Sequence, residues 1–325
     1  MKKNSSFLLF ITFIILGIMI SVSSNNWLGC WMGIEINMVS FLPFMLNKMS
    51  IYSSESMISY FIVQGMSSSL LFLSVIMLGM YSYMNYFVII SLMIKMGCPP
   101  FHFWYISVIE GLQWMICFML MSIQKIIPMI LLSYLMMNIH FFIILSCIWG
   151  SIGGLCYSSM RSILGYSSIY NLSWIFSGIL TMNYSWMMYF IIYSINLFMM
   201  CYFFNLMNIN YMNQFFMCSD NMVKSLFLMV NFLSIGGIPP FLGFFPKLII
   251  IYFMLQSDNI IVCLIMVMFA LIVLFFYLRL VLTGLMINFT SMKLIVNNWM
   301  LNVFYLFGNF SLFGLFFIVL TYYMN

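Results

Sequence analysis

The stretch Lys95-Met-Gly-Cys-Pro-Pro-Phe-His-Phe-Trp104 interrupts a long apolar run with two consecutive prolines. A second stretch, Gly236-Gly-Ile-Pro-Pro-Phe-Leu-Gly-Phe-Phe-Pro-Lys247, interrupts a later apolar run in the same way. Proline lacks an amide donor and clashes with the preceding turn, so a double proline breaks a helix. Where such a helix lies in a membrane, the freed backbone groups must be buried in protein or line a water-filled cavity. The two stretches therefore predict two broken helices inside a bundle.

The composition indicates that this bundle lies in a membrane. Of 325 residues, 66% are hydrophobic and only 5% are charged, whereas a soluble domain carries about 25% charged residues. Long unbroken apolar runs exclude an outer-membrane β-barrel, and the lack of a basic stripe excludes nucleic-acid binding. Each span needs about 20 apolar residues. The sequence predicts eleven spans, at residues 5–22, 26–46, 57–80, 83–107, 112–135, 138–158, 163–181, 184–207, 222–255, 259–282 and 300–323.

The two broken helices are the fourth and ninth spans, and an odd offset means that they cross the membrane in opposite directions. Paired interrupted helices in halves of opposite orientation are typical of inverted-repeat transporters, although two Pro-Pro-Phe tripeptides could also coincide in a Phe-rich chain. We therefore expect an all-α polytopic membrane protein. Residues 1–135 would form the first inverted repeat and 138–282 the second, followed by an amphipathic or loop segment and a final helix within 284–325.

The base composition of the gene indicates a mitochondrial origin. The chain has 37 Met and 36 Phe but one alanine, Ala270. Alanine codons begin with GC, so a strongly AT-biased gene would contain few of them. An organelle code that reads an isoleucine codon as Met would also raise the Met count.

The basic residues outside the span centres predict the orientation. In the eleven-span layout, all of them fall on the N-terminal side of the membrane, which the positive-inside rule assigns to the matrix or cytoplasm. These residues are Lys2, Lys3, Lys48, Arg161, Lys224, Arg279 and Lys293. We therefore predict a matrix-side N-terminus in the mitochondrial inner membrane.

Four charged residues remain near span centres: Glu35, Lys95, Lys125 and Lys247. A charge at the helix centre costs about 2.5–3.5 kcal/mol on insertion scales, so these side chains should face the interior of the bundle. Desolvation disfavours the charged form of a buried lysine, and a nearby carboxylate favours it. A row of such residues at mid-membrane depth can therefore pass protons without a metal or organic cofactor. His102, after the first break, is a further candidate.

A static buried ion pair that orients the bundle is the alternative interpretation of these charges. The chain has three central lysines but only one central carboxylate, Glu35. That imbalance favours groups that gain and lose protons over a permanent pair.

Five segments of the chain form an ordered set of motifs: WMGIEIN (31–37), KMGCPPFHFW (95–104), QKIIP (124–128), YSSIYNLSW (166–174) and GGIPPFLGFFPK (236–247). In this order and over essentially the whole chain, they resemble the antiporter-like membrane subunits of respiratory complex I, most specifically the family of subunit 2 of mitochondrial NADH–ubiquinone oxidoreductase. The fold of that family has two inverted five-helix repeats with flanking helices, and animal members lack its first three helices.

The resemblance implies roles for the inner charges. Glu35 and Lys95 would form a coupling ion pair, Lys125 would be the central relay lysine, and Lys247 would belong to the exit half-channel. No cofactor is expected in this chain, because FMN and the iron–sulfur clusters belong to other subunits. The implied partners are other membrane-arm subunits, including subunit 4 and the small subunit 4L, and lipids such as cardiolipin, with no nucleic acid.

The expected function is therefore that of a core membrane-arm subunit of the proton-pumping oxidoreductase, which moves protons through a buried Glu/Lys relay driven by electron transfer in other subunits. One alternative is a stand-alone sodium–proton antiporter of the same fold. Another is a membrane scaffold with no transport role.

Overall fold

The structure, a computed structural model, describes residues 5–46, 51–81, 83–135, 138–181, 184–217 and 222–290. Several predictions lie outside the described residues. These are the final span at 300–323 and the placement of Lys2, Lys3, Lys48, Lys293 and the Lys224 side chain on the N-terminal side of the membrane.

The regular structure of the described residues is helical, apart from one isolated bridge between Ser159 and Tyr211. The helices are α1 (Ser5–Ser23), α2 (Trp27–Met45), α3 (Ile51–Met77), α4 (Met84–Met96), α5 (Phe103–Gly111), α6 (Trp114–Met121), α7 (Ile123–Leu135), α8 (His140–Cys156), α9 (Met160–Leu180), α10 (Ser185–Met207), α11 (Met212–Met217), α12 (Met222–Gly236), α13 (Phe244–Gln256) and α14 (Ile260–Thr290).

The predicted all-α membrane fold is confirmed. Five helical stretches in the described part are long and apolar enough to cross a membrane by length and composition, and five shorter apolar helices accompany them. The first ten predicted spans each coincide with a helix or with a pair of consecutive helices. The five long stretches are Trp27–Met45, Ile51–Met77, Trp114–Leu135, Ser185–Met207 and Ile260–Gly284.

Some boundaries differ from the prediction, most clearly at the start of α3. This helix begins at Ile51 rather than near residue 57, so Glu55 lies within a helix and not in a loop. The polar residues there are accommodated because their hydroxyls bond to the helix's own carbonyls. Ser54 Oγ donates to Ile51 O at 2.8 Å, and Ser56 Oγ donates to Ser53 O at 2.9 Å.

The chain divides into two compact units, Met1–Met137 and Asn138–Asn325. In the first unit, α3 packs against α2, α4 and α5, and α7 contacts α1, α2, α4 and α6. The relation of the units as inverted repeats stays a prediction.

In the second unit, α9 is the central helix and packs against α8, α10, α13 and α14. Almost every residue from Met160 to Gly178 is buried, although this segment contains five serines, two tyrosines and one asparagine. Its serine hydroxyls bond to carbonyls three residues earlier, as Ser167 does to Leu164 O at 2.9 Å. This local satisfaction allows a polar helix to lie inside the protein.

Both predicted helix breaks are present. α4 ends at Met96 and α5 begins at Phe103, while α12 ends at Gly236 and α13 begins at Phe244. Each first segment is followed by a glycine in the left-handed region, which L side chains rarely adopt. These glycines are Gly97, with φ 68°, and Gly237, with φ 80°.

The two breaks are closed by the same backbone hydrogen bonds. The residue after the glycine donates to the carbonyl five residues earlier, at 3.0 Å for Cys98 and 3.3 Å for Ile238. Such a bond is the signature of a Schellman helix end. A tight turn through the prolines follows, in which Phe101 N bonds to Cys98 O at 2.9 Å and Phe241 N bonds to Ile238 O at 3.0 Å.

We expect Gly237→Ala to lower stability by about 1–3 kcal/mol, because a side chain at this left-handed position is strained. Its Cβ would also lie 2.7 Å from Lys247 Nζ. Gly236→Ala is the matched control, because its Cβ would only contact the Tyr277 ring at 3.6 Å. The measurement is the thermal unfolding of the protein extracted in its native assembly. Equal unfolding temperatures for the two variants would contradict the prediction.

Candidate functional site

All three inner lysines are buried. Lys95 on α4 is 7% exposed, Lys125 on α7 is 2% exposed, and Lys247 on α13 is 7% exposed. Glu35 on α2 is half-buried. Lys95, Lys125 and Glu35 belong to the first unit and Lys247 belongs to the second.

A cavity of about 20 Å³ in the first unit brings Lys95 and Lys125 together. We call it the lysine cavity. About 10–15 Å³ is enough for one water molecule if polar partners surround it. Besides the two lysines, the polar residues that line it are Asn37, Tyr60, Gln64, Trp104 and Gln124.

Lys95 occupies the last turn of the first broken helix. Its backbone carbonyl, left without an intrahelical partner near the helix end, accepts a hydrogen bond from Gln64 Nε2 at 3.2 Å. Its Nζ is buried and has no hydrogen-bond partner among the described residues, and the same holds for the cavity-lining Trp104 Nε1. Both groups are therefore donors available to a molecule in the lysine cavity.

No hydrogen bond joins the Glu35 carboxylate to Lys95 among the described residues, and their role as a coupling ion pair stays a prediction. The Glu35 carboxylate acts electrostatically on Lys95, but no carboxylate oxygen accepts from Lys95 Nζ in the described part of the chain. α3 packs against both helices that carry these residues. The two charges thus interact through space and not through a hydrogen bond.

Lys125 lies against the segment that follows the first break. Its Nζ is 4.6 Å from the centroid of the Tyr105 ring on α5, a distance typical of a cation–π contact. The segment that follows the break therefore supplies part of the environment of the predicted relay lysine.

His102 is buried at 2% exposure directly before α5, with its ring centroid 4.3 Å from that of Phe103. It is not among the residues that line the lysine cavity. Its role in a relay stays a prediction.

Lys247 lies in the first turn of α13 and reaches back to the end of α12. Its Nζ donates to Gly236 O at 2.9 Å and to Ile235 O at 3.4 Å. These carbonyls belong to the last turn of the broken helix, where backbone acceptors lack intrahelical partners and the helix dipole favours a cation. The second break and its lysine therefore form one site.

Sequence reasoning singled out the charged residues but missed the neutral partners around them. Asn37, Tyr60, Gln64 and Gln124 line the lysine cavity, and Tyr105 contacts Lys125. A signal did exist for two of them, since Asn37 closes the motif that contains Glu35 and Gln124 directly precedes Lys125.

No group of three or more His, Cys, Asp or Glu side chains arranged to hold a metal ion occurs in the residues that the structure describes. The described residues thus offer lysines, amides and aromatic hydroxyl and indole groups. All of these groups can bind water, and the lysine amines can also hold and pass protons.

Two solved structures have a similar fold. A chain of respiratory complex I from Thermus thermophilus with bound Aureothin matches 97% of this chain and 79% of its own length, with a TM-score of 0.81 and 16% identity. A chain of the Mrp complex from Dietzia sp. DQ12-45-1b matches 89% of this chain and 61% of its own, with a TM-score of 0.69 and 14% identity. At these identities the likeness concerns the fold alone.

Sequence relatives are more specific. A family model described as "NADH:quinone oxidoreductase/Mrp antiporter, TM" matches residues 79–274. NADH-ubiquinone oxidoreductase chain 2 of Anopheles gambiae is 40% identical, covering 93% of this chain and 90% of that protein. The protein of the same name from Oryctolagus cuniculus is 31% identical, covering 87% of each chain. The chain therefore belongs to the NADH:quinone oxidoreductase/Mrp antiporter family, within its NADH-ubiquinone oxidoreductase chain 2 group.

Proposed function

We propose that this chain is a core membrane-arm subunit of proton-pumping NADH–ubiquinone oxidoreductase and moves protons through its buried lysines. The observation that carries the proposal is the lysine cavity, where two buried lysines line one space of about 20 Å³. Membership in that complex is supported by the names of the relatives and by the large share of each chain that matches.

In the first unit, the transfer runs from Lys95 to Lys125. The Lys95 ammonium gives a proton to a water molecule in the lysine cavity, and that water gives a proton to the neutral amine of Lys125. The charge of Glu35 acts on Lys95, so a change at Glu35 alters the balance between the two lysines. Electron transfer in other subunits would supply this change.

In the second unit, Lys247 can exchange a proton without losing its backbone contacts. A lysine ammonium has three N–H donors and a neutral amine has two. Two donors are used by Gly236 O and Ile235 O. The third proton is therefore the one that can be passed on. The two carbonyls at the end of α12 keep their donors whether Lys247 is charged or neutral.

The setting of the chain is also part of the proposal. We place it in the mitochondrial inner membrane with its N-terminus on the matrix side, supported by the distribution of basic residues and by the near absence of alanine. Subunits 4 and 4L and lipids such as cardiolipin are the proposed neighbours, supported by the many exposed apolar side chains of the described helices. FMN and iron–sulfur clusters are assigned to other subunits.

The main alternative is a stand-alone sodium–proton antiporter. Its support is the likeness to the Mrp complex, which concerns the fold alone. A mild detergent extract run on a native gel discriminates between the two. A complex I subunit migrates with the large assembly, whereas a stand-alone antiporter migrates alone or as a small oligomer.

We expect Lys125→Met, made in the assembled complex, to reduce NADH-driven proton pumping by roughly tenfold or more, because the acceptor of the proton in the lysine cavity is lost. The measurement is proton uptake into liposomes that contain the purified complex, per NADH oxidised. Ser133→Ala is the control on the same helix, because that hydroxyl bonds to its own helix at Ile130 O, 2.7 Å away. Normal pumping in Lys125→Met would refute the relay. A scaffold with no transport role predicts that this variant disturbs assembly without a specific pumping defect.

At Lys247, two substitutions separate support of the backbone from proton transfer. Lys247→Met leaves the buried Gly236 and Ile235 carbonyls without their donor, which costs about 1–3 kcal/mol for each unsatisfied group, so we expect less assembled complex. Lys247→Gln keeps N–H donors but cannot titrate, so we expect assembly to be retained and pumping to be lost. Native-gel yield and proton uptake are the two measurements. Wild-type pumping in Lys247→Gln would exclude Lys247 from the proton path.

A further inference from the structure

Two neutral side chains of the lysine cavity bind each other reciprocally. Asn37 Nδ2 donates to Gln124 Oε1 at 3.1 Å, and Gln124 Nε2 donates to Asn37 Oδ1 at 3.2 Å. Asn37 is 4% exposed and Gln124 is half-buried. Two amides paired in this way satisfy each other's carbonyl oxygen and one N–H each, so the geometry is specific to these residue types.

The pair joins the helices that carry two of the inner charges. Asn37 stands two residues after Glu35 on α2, and Gln124 stands directly before Lys125 on α7. The two residues are 87 positions apart in the chain. Their pairing therefore ties the helix of Glu35 to the helix of Lys125 at the level of the lysine cavity.

A third helix is attached to the same pair. The Tyr60 hydroxyl on α3 donates to Gln124 Oε1 at 3.4 Å, so this oxygen accepts from two helices. Tyr60 is 2% exposed, and its ring packs against Phe41 at 5.4 Å and Trp104 at 6.2 Å. The Gln124 side chain is thus held from two directions beside Lys125.

We propose that the Asn37–Gln124 amide pair is a positioning element that sets the place of Lys125 in the lysine cavity. It ties α7 to α2 and so keeps Lys125 on the cavity that Lys95, the lysine on which Glu35 acts, also lines. Amides do not gain or lose protons in the physiological range, so the pair itself carries no proton and adds no charge. This inference rests on the proposed relay function.

The physical reason for a neutral pair at this place is electrostatic. An ionised group here would add a charge beside Lys95 and Lys125 and would compete with Glu35 for control of their protons. An apolar pair would leave the cavity wall without polar partners and would not fix the separation of α2 and α7. Paired amides give directional contacts without a competing charge.

The test compares Asn37→Leu, Gln124→Met and the exchanged pair Asn37→Gln with Gln124→Asn in the assembled complex. We expect each single variant to pump roughly threefold to tenfold fewer protons per NADH oxidised, because local contacts of this kind modulate coupling to that extent. The exchanged pair keeps the summed side-chain length and the reciprocal amide contact, so we expect it to recover most of the pumping. Pumping is measured per assembled complex. A purely structural role of the pair would change the amount of assembled complex but not the pumping of each complex.

Ser40→Ala is the matched control on α2, because the buried Ser40 hydroxyl bonds to Asn37 O in its own helix at 3.0 Å. Lys125→Met is measured in parallel. Loss of pumping in Lys125→Met with normal pumping per complex in both amide variants would overturn the positioning role and leave the relay intact. Normal pumping in Lys125→Met would refute the relay itself. Failure of the exchanged pair to recover pumping, with assembly intact, would also count against the reciprocal contact.

Discussion

A helix that ends inside a membrane exposes carbonyl groups that lipid cannot satisfy, and the polar architecture of this chain is arranged around two such ends. At the end of α12, the Lys247 ammonium donates to Gly236 O and Ile235 O. At the end of α4, Gln64 donates to the carbonyl of Lys95. The breaks therefore draw polar side chains into an otherwise apolar bundle. The groups that can move protons are gathered where the backbone already requires polar partners.

Apart from the two lysines, the polar residues that line the lysine cavity are neutral. Lys125 faces the Tyr105 ring, and the polar lining of the lysine cavity beside the lysines consists of amide, hydroxyl and indole groups. A static ion pair would require a carboxylate bonded to Lys95 Nζ, and the described residues place none there. Glu35 acts from a distance instead. Lys95 can therefore respond to a change at Glu35, because no hydrogen-bonded carboxylate fixes its protonation state.

The reliability of sequence reasoning differed between the fold and the site. Hydropathy and the double prolines predicted the first ten spans and both breaks, because the cost of exposing polar groups to lipid is a local property. The predicted start of α3 lies six residues late, because the hydroxyls of Ser54 and Ser56 bond to carbonyls of their own helix and so a polar segment is accommodated in it. At the site, the cost of burying charge singled out the lysines. Nothing in the local pattern indicated that Asn37 pairs with Gln124, because they lie 87 residues apart.

The sequence by itself determined the membrane environment, the two broken helices and the identity of the inner charges, because each follows from the transfer cost of residues taken one segment at a time. Only the tertiary structure decided which groups meet. It placed Lys247 on the carbonyls of α12, set Lys125 against Tyr105, and left Lys95 Nζ without a hydrogen bond to Glu35. Such contacts depend on how helices pack against one another. Hydrophobic periodicity says which face of a helix is buried, but the neighbour on that face is set by packing in three dimensions.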